Sequence, residues 1–122
     1  MMEEQYYNAH VEIDLDAIRN NYKIVRDFVK SPKILCVVKS NAYAHGLVRV
    51  GKLFEELGAD FLGVANIGEA MELRKAGVKI GILIFGYTPI EFIETLVKND
   101  ISQAIYSKEY ALNVHEVLEK HD

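Results

Sequence analysis

The sequence holds a single cysteine, Cys36, so no disulfide can form within the chain. Cys36 lies inside an apolar run, where a free thiol behaves as a small hydrophobe, and this fits a reducing compartment. Missing too is any apolar stretch long enough to span a membrane. The first ten residues are polar and acidic and carry no apolar core of signal-peptide length. A cytoplasmic protein is expected, with a short disordered leader over residues 1–9. Positive charge is scarce: the net charge is −4 and the pI near 5.6, with no basic patch to suggest nucleic acid. His10, His115 and His121 show no ligand spacing with His45, so no metal site is expected. No phosphate-loop lysine motif, glycine-rich dinucleotide fingerprint or Ser-His-Asp grouping occurs.

What is present is material for a core. Half of the 122 residues are apolar and 26% are charged, which suits one ordinary domain or half of a large one. Asp14 caps a first helix with Leu15, Ile18, Tyr22, Val25 and Phe28 at helical spacing, and Ser31-Pro32 ends it. Before it, residues 10–13 alternate polar and apolar and read as a short strand. A unit then repeats. Strands are expected over residues 34–38, 61–65, 80–85 and 101–106, the last weakened by Ser102 and Gln103. Each is followed by an amphipathic helix. Gly58 and Gly77 close two of these helices in left-handed cap positions. Thr88-Pro89 supplies a cap and a first-turn proline for a third, and Ser107 caps the last. Apolar strands with little alternation, separated by helices, indicate a parallel α/β sheet covered by helices. The spacing suits four units of a (β/α) barrel of the TIM type, preceded by an N-terminal helix, with a doubly wound sheet as the alternative.

The densest chemistry is Cys36-Val37-Val38-Lys39-Ser40-Asn41-Ala42-Tyr43-Ala44-His45-Gly46. An apolar run ends in a lysine, and a turn-forming, hydroxyl-bearing, aromatic segment follows at once. A lysine at the carboxyl end of a buried strand is costly to desolvate and gives up its proton readily, which makes it a candidate Schiff-base nucleophile. The bland alternative is a solvated residue that ends a strand. Tyr43 on its own is a packed loop aromatic, and Phe85 at the end of the third strand is as readily a core residue. Asn41 and His45-Gly46 read as turn-shaping groups. Glu69 and Arg74, on one helix, read as structural, paired across its surface or to a neighbouring loop.

This stretch resembles the pyridoxal-phosphate lysine motif of alanine racemases. The resemblance continues through Val11-Glu12-Ile13-Asp14-Leu15-Asp16-Ala17-Ile18-Arg19-Asn20-Asn21-Tyr22, then Gly63-Val64-Ala65 with Glu69-Ala70 and Leu73-Arg74, then Ile82-Leu83-Ile84-Phe85-Gly86. It covers nearly the whole chain. The family commonly shows alanine where Ser40 stands and glycine where Ala44 stands; Ala44 is the sensitive one if its backbone takes a positive φ.

The resemblance implies that residues 10–122 form the N-terminal half of a pyridoxal-phosphate-binding (β/α)8 barrel, ending before the remaining barrel and a C-terminal β domain. It implies a Lys39 aldimine with pyridoxal 5'-phosphate, the freed amine then moving a proton at the substrate α-carbon. It places Tyr43 on the cofactor phosphate and Phe85 at the cofactor edge. The reaction implied is interconversion of L- and D-alanine for cell-wall D-alanine supply, by a homodimer with shared sites. The pyridine-facing arginine, most phosphate ligands and the second base, a tyrosine of the partner subunit, belong to segments this sequence does not contain. An isolated copy is therefore expected to be inactive and to self-associate. Racemisation of serine or another small amino acid, and a non-catalytic pyridoxal-phosphate-binding module, are the alternatives.

Overall fold

A computed structural model describes residues 8–121. Helix α1 (Leu15–Val29) opens on Asp14, whose side chain accepts the Ala17 N–H at 3.0 Å. Strand β1 (Leu35–Val37) follows, then α2 (Lys39–Tyr43), a single left-handed turn, and α3 (Leu47–Glu56). Strand β2 (Phe61–Val64), α4 (Ile67–Lys75), β3 (Gly81–Ile84), α5 (Ile93–Lys98), β4 (Ile101–Gln103) and α6 (Lys108–Glu119) complete the chain. The four strands form one parallel sheet in the order β1-β2-β3-β4, as the repeat unit predicts. Gly58 and Gly77 take the expected left-handed conformation, with φ of 90° and 93°.

The sheet has two unlike faces. Cys36, Leu62, Val64, Ile82, Ile84 and Ile101 point to the helices and are buried among Leu47, Val50, Leu73, Ile93 and Leu96. Full burial of a leucine, valine or isoleucine side chain, as at Leu62, Val64, Ile82 and Ile84, stabilises a fold by roughly 1.5–3 kcal/mol. The register sets Leu35 beside Phe61 and Val37 beside Gly63, with Gly63 beside Leu83, on the opposite face. That face is only partly covered, and Leu35 and Val37 remain 37% and 38% exposed. A closed barrel would turn it inward, onto the side chains of further strands. Among the described residues the sheet does not close, so the outer edges of β1 and β4 have no strand partner. Each edge carries an apolar hollow. One, of about 380 Å³, lies between α1 and β1 and includes Tyr22, Val25, Cys36 and Phe54. The other, of about 260 Å³, lies beside β4 and includes Leu96, Ile101, Ile105 and Leu118.

Three sequence expectations change. Residues 10–13 form no strand, because they meet no edge with which to share ladder hydrogen bonds; Val11 and Ile13 instead border a groove with His45, Gly46 and Arg49. Thr88 caps no helix. It is fully buried, and its hydroxyl donates to Gln103 Oε1, while a 3-10 turn (Ile90–Phe92) leads into α5. Gln103, read as a weak point of β4, ties the strand down by donating Nε2–H to Gly86 O at 2.6 Å and Ala104 O at 3.0 Å. Of the leader expected over residues 1–9, residues 1–7 lie outside the described residues.

Candidate active site

Parallel strands bring their carboxyl ends to one edge, and the chemistry-bearing residues gather there. The β1–β2 ladder runs one residue past β1, where Val38 N–H donates to Gly63 O at 2.8 Å. Val38 is fully buried and Lys39, next in the chain, is half-buried. The backbone then turns left-handed through Ser40, Asn41, Ala42, Tyr43 and Ala44, with φ between 53° and 70° and no glycine among them. Such a conformation costs an L-residue roughly 1–2 kcal/mol, and runs of it are rare. Strain of this kind persists only where the surroundings over-determine it.

The surroundings here do so. Inside the turn, Ala42 N–H donates to Val38 O at 2.8 Å and Gly46 N–H to Asn41 O at 3.0 Å. Asn41 Oδ1 accepts the Leu47 N–H at 2.8 Å, tying the turn to the start of α3. His45 Nδ1 lies 3.0 Å from both Ala42 O and Tyr43 O, so that nitrogen carries the proton and donates to the turn. Asn41 and His45 are thus the turn-shaping groups expected. Ala44 takes φ 70° and ψ 10°, the conformation that makes a glycine natural at this position.

Lys39 and Tyr43 are the two ends of this one turn, and Tyr43 presents its ring to solvent at 57% exposure. Phe85 follows β3 and is partly exposed on the face that carries Val37 and Gly63. Its ring lies over Gly63, where an added Cβ would sit 2.5 Å from Phe85 Cζ and 2.9 Å from Leu35 Cδ2. Phe85 therefore belongs to the partly open face and not to the helix-covered core. Glu69 and Arg74 do not pair with each other. Arg74 donates to the carbonyls of Val78, Ile80, Asn99 and Asp100 at 2.8–2.9 Å and locks the loops at the amino end of the sheet. Glu69 reaches the opposite end and accepts the Ser40 N–H at 3.0 Å. No periodicity or spacing marks that contact, which joins residues 29 positions apart.

Cys36 faces the helices. Burial pushes its thiol up to about 11, with Arg26 opposing the shift and Asp60 reinforcing it, so the sulfur is packing material and no nucleophile. Among the described residues no group of His, Cys, Asp and Glu is arranged to hold a metal ion, and no helix is long and apolar enough to cross a membrane.

A parallel sheet in sequential order, with a lysine and a strained turn at the carboxyl end of its first strand, defines the opening four βα units of a TIM-type barrel. The alanine racemase N-terminal domain family matches residues 13–122, and the chain belongs to that family. An alanine racemase of Clostridium perfringens is 51% identical over 100 residues, covering 82% of this chain and 26% of the relative. The alanine racemase of Clostridium difficile 630 superposes with a TM-score of 0.83 at 37% identity, over 93% of this chain and 31% of that one. A histidine racemase of Leuconostoc mesenteroides subsp. sake also superposes, with a TM-score of 0.80 at 28% identity, over 88% of this chain and 29% of that one. The chain thus spans about a quarter to a third of the length of these proteins.

Proposed function

We propose that this chain is the lysine-bearing part of a pyridoxal-phosphate-dependent alanine racemase. The observation that carries the reading is the half-buried Lys39 at the carboxyl end of β1, followed directly by a left-handed turn that ends at an exposed tyrosine. These residues fit the group. An aldehyde-bearing pyridine needs an amine, a wall for its ring and donors for its phosphate. Lys39 offers the amine, Phe85 and Val37 offer partly exposed apolar surface, and the Tyr43 hydroxyl is free to face solvent. Pyridoxal phosphate, when bound, supplies an electron-withdrawing ring that acidifies the substrate α-carbon.

The chain's own residues then divide the work. Lys39 Nζ would hold the group covalently and, as a free amine, can take or return a proton on one face of the substrate α-carbon. The Tyr43 hydroxyl would donate to the group's phosphate. Phe85 would offer apolar surface to the group's ring. As the family resemblance implies, the second proton donor, on the opposite face, would be a tyrosine supplied by a partner subunit, which makes the proposed working enzyme a homodimer, with a cytoplasmic location proposed alongside. Alanine is the substrate proposed because relatives 51% and 49% identical over 100 and 111 aligned residues are named alanine racemases. A histidine racemase with a similar fold over the same segment favours a second reading, in which the parent racemises another amino acid and residues beyond these four units select the side chain.

The test is chemical. The chain is incubated with pyridoxal phosphate, reduced with borohydride and mapped by peptide mass spectrometry. Label concentrated on Lys39 is the expected result, and label spread over the surface lysines would mean that the site needs the rest of the barrel, leaving the decision to the test of the reaction itself. For the reaction itself, these residues replace the matching segment of the C. perfringens racemase in a D-alanine auxotroph. Growth without D-alanine is expected, and its loss in Lys39→Ala. Growth undiminished by that substitution would sink the reading.

A further inference from the structure

We propose that Glu69 is a positioning residue for Lys39, acting through the peptide bond that joins Lys39 to Ser40. The proposal rests on the reading of Lys39 given above and adds the device that aims it.

The Ser40 N–H is an orphan by construction. Val38 is the last residue whose N–H joins the β1–β2 ladder. The first donors of a helical turn have no partner within the turn. Glu69 Oε1 accepts this N–H at 3.0 Å, and Oε2 stands 3.5 Å from the N–H of Ala65, the residue that follows β2. One carboxylate therefore bridges the carboxyl ends of β1 and β2, at the point where the left-handed turn begins. Glu69 is itself held, because its own N–H donates to Asn66 Oδ1 at 3.0 Å in the capped first turn of α4. That helix is anchored by Ala70 and Leu73, both fully buried.

The geometry explains why this bond matters to the lysine. The Ser40 N–H lies in the plane of the Lys39–Ser40 peptide, so fixing its direction fixes ψ of Lys39 and φ of Ser40 together. Ser40 φ is 55°, a conformation the chain leaves unless it is held. Rotation of that peptide would free the backbone on the carboxyl side of Lys39 and shift the left-handed turn, Tyr43 included, relative to the lysine. Hydrogen bonds that involve a charged acceptor are among the stronger ones available for such a task. Glu69 does not act as a counter-ion: among the described residues the ion pairs join other side chains, and neither Glu69 nor Lys39 takes part in one.

The chain supplies its own control. Glu55 Oε2 accepts the N–H groups of Lys79 and Ile80 at 2.6 Å and 2.9 Å, the same kind of clamp, but just ahead of the amino end of β3. Loss of either clamp loosens the fold; only loss of the Glu69 clamp should release Lys39.

The experiment uses the C. perfringens racemase carrying this segment and measures the share of borohydride-fixed pyridoxal phosphate on Lys39 relative to the other lysines, in the unsubstituted chain and three variants. Glu69→Ala should lower that share about tenfold, the effect of losing one hydrogen bond to a charged group. Glu69→Gln, which leaves an uncharged oxygen for Ser40, should lower it about threefold. Glu55→Ala should leave it unchanged. Equal shares in Glu69→Ala and the unsubstituted chain would overturn the positioning role while leaving Lys39 as the anchor. A fall in Glu55→Ala as large as that in Glu69→Ala would reduce Glu69 to general stability and also overturn it. Label spread over all lysines in the unsubstituted chain overturns the Lys39 reading and this one together. Should Glu69→Ala fail to fold by circular dichroism, Glu69→Gln decides, and an unchanged share there counts against the proposal.

Discussion

Replacing Ala44 by glycine should stabilise the protein. Ala44 is exposed and sits at φ 70° and ψ 10°, closing the left-handed turn that follows Lys39. In that region the Cβ of an L-residue crowds the following carbonyl oxygen, at a cost of roughly 1–2 kcal/mol. Glycine removes the cost but brings a more flexible unfolded chain, which takes back about 0.4–1 kcal/mol. The net gain is about 0.5–1 kcal/mol, or roughly 2–5 °C in Tm for a domain of this size. No hydrogen bond is lost, because the Ala44 N–H that donates to Ser40 O at 3.3 Å is present in glycine too. Urea unfolding followed by circular dichroism measures the change, with an unaltered m-value as the check that only stability moved. Ala44→Val is the opposing variant, since a β-branched residue fits φ 70° worse than alanine, and its midpoint should fall. A glycine variant less stable than the parent, or a valine variant equal to it, would refute the claim that strain is stored at this position.

The other expectations are more briefly put. Gly86→Ala should destabilise by about 1–3 kcal/mol, as overpacking does, because the new methyl would run into the backbone oxygen of Ala65, which no side-chain movement relieves; a urea midpoint equal to that of the parent would contradict that close approach. Cys36 gives a pH signature. Its folded-state value is raised from 9.0 to about 11, so its stabilising contribution is fully present below pH 9 and is lost as pH rises toward 11, by on the order of 2 kcal/mol. Comparing the parent with Cys36→Ala across that window isolates the effect, and parallel stability curves would exclude it. The 122-residue chain by itself should self-associate, since β1 and β4 each present an unpaired edge beside an apolar hollow. Size-exclusion chromatography giving a stable monomer at every concentration tested would count against it.

Much of this was legible in the residues. The strand-helix repeat is written in apolar runs and in punctuation: Asp14 and Ser107 cap the helices they were expected to cap, and Gly58 and Gly77 sit at positive φ. Elements of this kind are decided by local chemistry, which a linear reading captures. Thr88 and Gln103 were misread for the complementary reason. Each looks like a local signal, a cap and a strand breaker, but the two meet across 15 positions in a partly buried hydrogen bond that only the packed loops create. The strand expected at residues 10–13 failed likewise, because alternation describes a strand's faces and says nothing about whether an edge is there to receive it.

Sequence by itself thus determined the class of sheet and the order of its elements, since apolar period and capping residues act between near neighbours. Tertiary structure alone decided which sheet face the helices cover and which stays partly open. It alone set the left-handed path from Ser40 to Ala44, and paired Glu69 with Ser40 rather than with Arg74. These are properties of groups distant in the chain: a backbone enters a costly conformation only where remote partners hold it there, and no residue announces its remote partners.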